Sequence, residues 1–314
     1  MNKVLAVIVT YNRLSMLKST IEYLTAQKYP CDILIVDNAS SDATGEWASK
    51  LQSSETQKIL YANTGANLGG AGGFNFGLRY AAEAAYEYAW IMDDDAFPKS
   101  DCLQKLMESA DALCAASDAS GPAFGFLSSI VLWKDGSICK MNWQRKLHLP
   151  RNRAEHHITD QDLLSGQKQI PIQSATFVSL LFPVSVIRRV GLPIKDFFIW
   201  CDDIEYTRRI SLKYHLPCYA ITDSRIVHQI ANNVGTDIAT DSVQRIPRYN
   251  YAFRNENYMY RQYGLKGFGY YILVCIYNLF KIIKNAPDHK LQRMGVIFKN
   301  FFTGLFFNPP IERL

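Results

Sequence analysis

The sequence predicts an α/β fold: a mostly parallel sheet flanked by helices, followed by a helical C-terminal extension. Three observations carry this. Apolar runs of strand length alternate with segments of helical periodicity through the first hundred residues. Polar residues gather where each run ends, the rim on which an open parallel sheet binds ligands. From about residue 248 the chain turns helical, aromatic and basic, which divides it into 1–247 and 248–314.

VLAVIVT (4–10) is apolar throughout, as expected of a strand buried on both faces. Residues 14–28 read as a helix, with Leu14, Leu17, Ile21 and Leu24 on one stripe. DILIVD (32–37) is a second strand, and 40–52 starts with capping residues and continues as a helix. A third strand is expected at 58–63, a helix at 72–88 and a fourth strand at 89–92. In the middle, 124–133 and 172–183 read as strands, with a polar surface excursion over 134–170 between them. Residues 201–215 read as a helix and 218–229 as a strand.

The 314 residues are 48% hydrophobic and 20% charged, enough apolar material for a sizeable core. The net charge of +5 fits anionic ligands or a membrane surface and lacks the dense basic stripe that nucleic acid requires. Seven cysteines without C-x-x-C spacing argue against a disulfide framework or zinc site, and for a reducing cytosol. The first apolar run meets Tyr11-Asn12-Arg13 at once, so it reads as a strand and not a signal peptide.

Asp93, Asp94 and Asp95 follow the fourth strand directly. Oxygen donors there suit a hard divalent cation, Mn2+ or Mg2+. On a continuing strand Asp93 and Asp95 would share one side. A solvated acidic turn before Pro98 is the plainer alternative. The run NLGGAGGFNFG is no dinucleotide fingerprint, since Asn75 stands where the last glycine belongs. Its glycines still let a backbone approach a ligand, at a helix start that favours anions. Asp202 and Asp203 open the later helix, either as simple caps or with one of them a general base in aromatic surroundings. Glu205 lies at salt-bridge spacing from Arg208 and Arg209. His228 ends an apolar strand and is a candidate imidazole ligand beside the aspartates. His156 and His157 are expected to face solvent.

In this order, VIVTYNR, ILIVDNASSDAT, NLGGAGGFNFG, WIMDDDAFP, FVSLLFPVSVIRRVG, FFIWCDDIEYTRRI and IVHQ resemble inverting family 2 glycosyltransferases with a GT-A fold, over roughly residues 3–230. Within that family the chain looks most like bacterial galactofuranosyltransferases, then rhamnosyltransferases. The resemblance implies a Rossmann-like sheet and direct transfer of a sugar from a nucleotide-sugar donor to a hydroxyl of a glycan. UDP-galactofuranose is the favoured donor and dTDP-rhamnose the alternative, and the acceptor is expected to be a lipid-linked cell-surface polysaccharide. It also implies that Asp93, Asp95 and His228 hold Mn2+ or Mg2+. Thr10, Tyr11, Arg13, Asp37, Asn67, Gly69, Gly70 and Asp94 would bind the nucleotide sugar. Asp203 would be the catalytic base, with Trp200, Asp202 and Glu205 at the acceptor. Cys201 is a departure, because the galactofuranosyltransferase pattern has Trp directly before the acid pair.

Two other classes fit less well. A nucleotidyltransferase wants a basic glycine-rich loop after the first strand, where Tyr11-Asn12-Arg13 stands. A non-catalytic binding module would not need Asp93, Asp95, Asp203 and His228 together. The apolar stretch 267–283 is short for a bilayer span and is interrupted by Asn278 and Lys281. Mixed with Tyr, Phe, Lys and Arg, it suits a membrane headgroup boundary or a contact with another subunit, including a second copy. The expected location is cytoplasmic, peripheral on the inner face of the cell membrane.

Overall fold

The computed structural model describes residues 3–118, 121–147 and 156–314. Strands β1 (Val4–Thr10), β2 (Asp32–Asp37), β3 (Ile59–Asn63) and β4 (Tyr88–Asp93) are parallel, in the spatial order β3-β2-β1-β4. Their connections carry α1 (Leu14–Thr25), α2 (Thr44–Ala48) and α3 (Gly69–Glu83). Helix α2 is shorter than the expected 40–52. Ser41 and Asp42 donate their backbone N–H groups to Asn12 Oδ1, which holds that segment as a loop against the end of β1.

Beyond β4 the sheet becomes mixed. β9 (Leu180–Pro183) is antiparallel to β4, followed by β6 (Leu127–Trp133), β10 (Tyr219–His228), β8 (Gln169–Ser174) and the two-residue β7 (Arg145–Lys146). The single strand expected over 172–183 is therefore two strands, which lie on opposite sides of the β6–β10 pair. Ser179 adopts a φ of 68° just before β9, where the chain crosses from one position to the other. The sequence pattern did not anticipate β5 (Ala96–Pro98), β7, α4 (Cys102–Ala115), α5 (Asp160–Leu164) or α6 (Val184–Val190). Helix α7 (Asp202–Arg208) passes into a π-helical stretch, Arg209–Lys213, in place of one regular helix over 201–215.

Alternate residues of β1 feed two cores, as the strand period requires. Leu5, Val7 and Val9 pack with Phe74 and Leu78 of α3, while Val4, Ala6 and Ile8 pack with Leu17 and Ile21 of α1. Each fully buried side chain of this size contributes roughly 1.5–3 kcal/mol. Helix α3 sits unusually close to β1. A Cβ on Gly73 would stand 2.4 Å from Val9 Cγ1, and one on Gly77 would stand 2.2 Å from Val7 Cγ1. Much of the glycine run thus serves helix–sheet packing.

Helices α8 (Tyr249–Arg261), α9 (Gly264–Asn285) and α10 (Lys290–Phe306) share a separate core around Phe253, Tyr271, Ile282 and Ile297. Ile238, Ala239 and Ile246 join it, so the helical region is rooted in the segment that follows β10. By length and composition α9 could cross a membrane. Leu273, Ile276, Tyr277, Phe280 and Ile283 are exposed along it.

Candidate active site

β4 ends at Asp93, and Asp94 and Asp95 turn the chain into β5. β5 pairs with the end of β10 so that Ala96 lies opposite His228, and the Gln229 N–H donates to the Asp95 carbonyl at 2.9 Å. One ligand atom from each of Asp93, Asp95 and His228 thereby comes within 4.8 Å of the others. The sequence pattern anticipated this pairing of Asp93 with Asp95 on a continuing strand; a tight turn produces it instead. Two carboxylates and one imidazole suit Mn2+ or Mg2+, with positions left for substrate oxygens.

Asp94 serves the scaffold of the same site. Its Oδ2 accepts from Thr10 Oγ1 at 2.7 Å, and its carbonyl accepts from Thr20 Oγ1 at 2.6 Å. Arg13, 44% exposed, reaches Asp94 at 3.0 Å and Asp95 at 2.6 Å. Burial pushes Asp93 up to about 7, with Asp95 adding to it, and pushes Asp94 up to about 6 against the pull of Arg13. Burial would also raise Asp95, but His228 and Arg13 hold it down to about 2. Burial would lower His228, yet its bond to Asp95 carries it up to about 10. Concentrated buried negative charge of this kind is what a divalent cation neutralises.

Asn142 sets the orientation of His228. Its Oδ1 lies 2.7 Å from His228 Nδ1 and also accepts from the Cys139 thiol, while its Nδ2 donates to Thr176 Oγ1. With Oδ1 on this side, Nδ1 is the donor and Nε2 faces Asp95 at 3.0 Å.

The second acidic cluster is held under strain. Phe198, Trp200 and Cys201 have φ values of 65°, 66° and 66°, a region that costs non-glycine residues about 1–3 kcal/mol each. Asn255 of α8 is wholly buried, and its Nδ2 donates to the carbonyls of Phe197, Ile199 and Trp200 at 3.0, 3.2 and 2.9 Å. From the other side, the Ala71 N–H donates to the Phe198 carbonyl at 3.1 Å. A Cβ on Gly69 would stand 2.0 Å from that same oxygen, so glycine is required there. Trp200 leans on Tyr249 with ring centroids 5.0 Å apart.

Asp202 follows this loop and is buried. Burial pushes its carboxyl well above the usual range, and the charges of Asp203 and Asp93 push it further. Asp93 is thus within electrostatic reach of Asp202. Asp203 Oδ1 accepts from the Ile204 N–H at 2.7 Å, and Oδ2 has no hydrogen-bond partner among the described residues. Burial pushes Asp203 up to about 6, against the pull of the Ile204 amide and of Arg208.

The remaining expected residues take varied positions. Tyr11, 43% exposed, stands at the rim beside Arg13. Asp37 is fully buried, and its oxygens accept from the Ser40 N–H and the Tyr61 hydroxyl. Asn67 Oδ1 accepts from the Gly69 N–H at the start of α3, and Gly70 has open space around it. Glu205, expected at the acceptor, instead has both oxygens on the Arg209 guanidinium, which also donates to the Val190 and Leu192 carbonyls. That carboxylate is tied into the scaffold. His157 is half-buried and stacks on Trp143, and does not stand free in solvent. Arg13 and Asp95 border a cavity of about 630 Å³ formed with the segment after β10.

Sequence reasoning missed Asn142, Asn255 and Glu256. Burial pushes Glu256 of α8 up to about 7, and its charge reaches Cys201. No motif marks Asn142. For the other two the only signal was the polar trio Asn255-Glu256-Asn257 inside an aromatic helix.

Comparison with known proteins agrees with this geometry. A family model described as "Glycosyl transferase family 2" matches residues 5–163, just over half of the chain. Galactofuranosyltransferase GlfT1 of Mycobacterium tuberculosis (strain ATCC 25618 / H37Rv) is 26% identical over 296 residues, covering 86% of this chain and 89% of its own. dTDP-rhamnosyl transferase RfbF of Shigella flexneri is 27% identical over 261 residues, covering 80% of this chain and 79% of its own. Mannosyltransferase PcManGT from Pyrobaculum calidifontis, solved with GDP-Man and Mn2+, has a TM-score of 0.54 at 15% identity. It covers 97% of this chain and 86% of that one, a likeness of fold.

Proposed function

Because the chain belongs to glycosyl transferase family 2 and is a glycosyltransferase with a GT-A fold, we propose that it moves galactofuranose from UDP-galactofuranose onto a glycan hydroxyl, inverting the anomeric carbon. The observation that carries this reading is the gathering of Asp93, Asp95 and His228, with ligand atoms within 4.8 Å of one another, in a chain whose Asp203 keeps one carboxylate oxygen unpartnered among the described residues. It supports a leaving-group end and a nucleophile end separated by a sugar.

At the leaving-group end, Asp93, Asp95 and His228 would hold Mn2+ or Mg2+, which supplies Lewis-acid stabilisation of the departing diphosphate. Arg13 faces the same cavity with part of its guanidinium in solvent, suited to the diphosphate oxygens. Tyr11, Asn67 and Gly70 would meet the nucleotide. Asp37 and Gly69 act from beneath, by fixing Tyr61 and the Phe198 loop. At the nucleophile end, Asp203 Oδ2 takes the proton of the acceptor hydroxyl, while Oδ1 stays on the Ile204 amide. The hydroxyl oxygen bonds to the anomeric carbon as the bond to the diphosphate breaks, so no covalent sugar–enzyme intermediate arises. Holding donor and acceptor in line contributes about 7–11 kcal/mol in favourable cases.

We read residues 1–247 as the catalytic unit and 248–314 as an extension that carries the acceptor side and a membrane contact. The exposed apolar residues of α9, with Lys266, Lys281 and Lys284 on the same helix, support peripheral attachment to an anionic inner leaflet.

The test is a panel of nucleotide sugars offered with Mn2+, recording which one the protein slowly hydrolyses or is thermally protected by. UDP-galactofuranose is the expected response. A response to dTDP-rhamnose alone would assign the sugar named for the Shigella relative. No response to any nucleotide sugar removes the donor reading.

A further inference from the structure

A second cavity, of about 520 Å³, borders the far end of α7. Arg145 of β7, Arg208 at the end of α7 and Lys266 of α9 line it together with Tyr260, Tyr263 and Tyr270. The Nε atoms of Arg145 and Arg208 are buried without a hydrogen-bond partner among the described residues. None of the three cations forms a salt bridge among the described residues. Unpaired buried guanidinium N–H groups are costly unless an anion meets them.

The cavity also has a definite place between two other features. Arg208 acts electrostatically on both Asp203 and Glu256, so it lies near the nucleophile end of the cleft. Tyr260, one helical turn beyond Glu256 on α8, senses Glu256 and Arg208. On the other side the rim passes into α9, where Leu265 (91% exposed), Tyr270 and Leu273 begin its uncovered apolar face. Three cations thus stand between a carboxylate placed to accept a proton and a helix face that prefers hydrocarbon.

We propose that this cavity binds the phosphate or diphosphate that joins the acceptor glycan to an apolar chain. Arg145 and Arg208 offer forked donors that match phosphate oxygens, and Lys266 adds a point charge from α9. The tyrosine hydroxyls can donate as well. The glycan then extends toward Asp203 and the chain toward α9. The donor diphosphate has its own cavity at Arg13 and Asp95, lined by different residues. This inference rests on the reading of Asp203 as the acceptor end.

The experiment titrates farnesyl diphosphate into the full-length protein in chelator, with farnesol and inorganic pyrophosphate as parallel probes. Wild type should bind farnesyl diphosphate more tightly than pyrophosphate and should not bind farnesol. Arg145→Gln/Lys266→Gln should weaken farnesyl diphosphate roughly tenfold or more, as loss of two charge-assisted contacts implies, with UDP affinity in Mn2+ unchanged. Lys266→Glu, at an exposed position, should weaken it with no change in melting temperature. Equal affinity in wild type and both variants overturns the site. So does loss of binding on Arg13→Gln, which would put the probe in the donor cavity. Pyrophosphate binding as tight as farnesyl diphosphate overturns the apolar-chain source and assigns free phosphate. Nucleotide-sugar hydrolysis by wild type, measured separately, tests the proposed function and can fail or succeed independently of these titrations.

Discussion

His228 Nδ1 stands 2.7 Å from Asn142 Oδ1, an atom that can only accept, and Nε2 is the nitrogen turned toward Asp95. A neutral residue far away in sequence therefore decides whether the imidazole presents a lone pair to a cation. Asn142→Leu should lower Mn2+ affinity by about 10–100-fold, and Asn142→Asp, which keeps an acceptor oxygen, should recover much of it. Calorimetry with Mn2+ checks this; unchanged affinity in the leucine variant would detach Asn142 from the metal centre.

Asp203→Asn should slow transfer by about 100- to 10,000-fold or more, the range for loss of a general base, while UDP and Mn2+ still bind. The working form is the carboxylate, and burial raises its pKa to about 6. The rate should therefore climb as pH rises through about 6 and stay level above it. Arg208 lowers this pKa, so Arg208→Gln should move the midpoint to higher pH. Near-normal turnover in Asp203→Asn removes it as the base.

Asn255 binds three carbonyls of the strained loop before Asp202, none of which its leucine replacement could satisfy. Each stranded carbonyl costs about 1–3 kcal/mol, enough for the loop to leave its positive-φ conformation. Asn255→Leu should cut kcat about tenfold or more with UDP affinity in Mn2+ preserved. A fall in UDP affinity with kcat intact is the contrary result.

Gly77→Ala should destabilise the protein by about 1–3 kcal/mol, because the added carbon would press on Val7. Val7→Ala in the same chain should recover part of the loss. Urea midpoints of the two single variants and the double variant measure the coupling. Additive losses would show that the contact is not the cause.

What was legible in the sequence is uneven, for physical reasons. Strands β1, β2 and β4 and their order along the chain follow from apolar runs buried on both faces, a signal that survives without tertiary context, whereas β3 is only half-buried. β5 is three residues long, and α7 changes helix type at Arg209, so neither leaves a usable period. The break between β8 and β9 is hidden because the connecting residues 175–179, ATFVS, are strand-like and carry no Gly or Pro to mark a turn.

The same division runs through the site. The residue types at the strand ends, the triple aspartate and the Asp202-Asp203 pair were set by local sequence, because carboxylates beside apolar runs are conspicuous. Which of them face one another was not. Asp95 meets His228 only because β5 pairs with β10, and the loop that leads into Asp202 keeps its shape only because Asn255 and Gly69 hold it in place. Glu205 carried the same charge and the same local signal as its neighbours, yet Arg209 took it into the scaffold. Charge and hydropathy are properties of single residues and can be read in order along the chain. Distance, burial and hydrogen-bond partner belong to pairs that only folding brings together, and these separate a site residue from a buried ion pair.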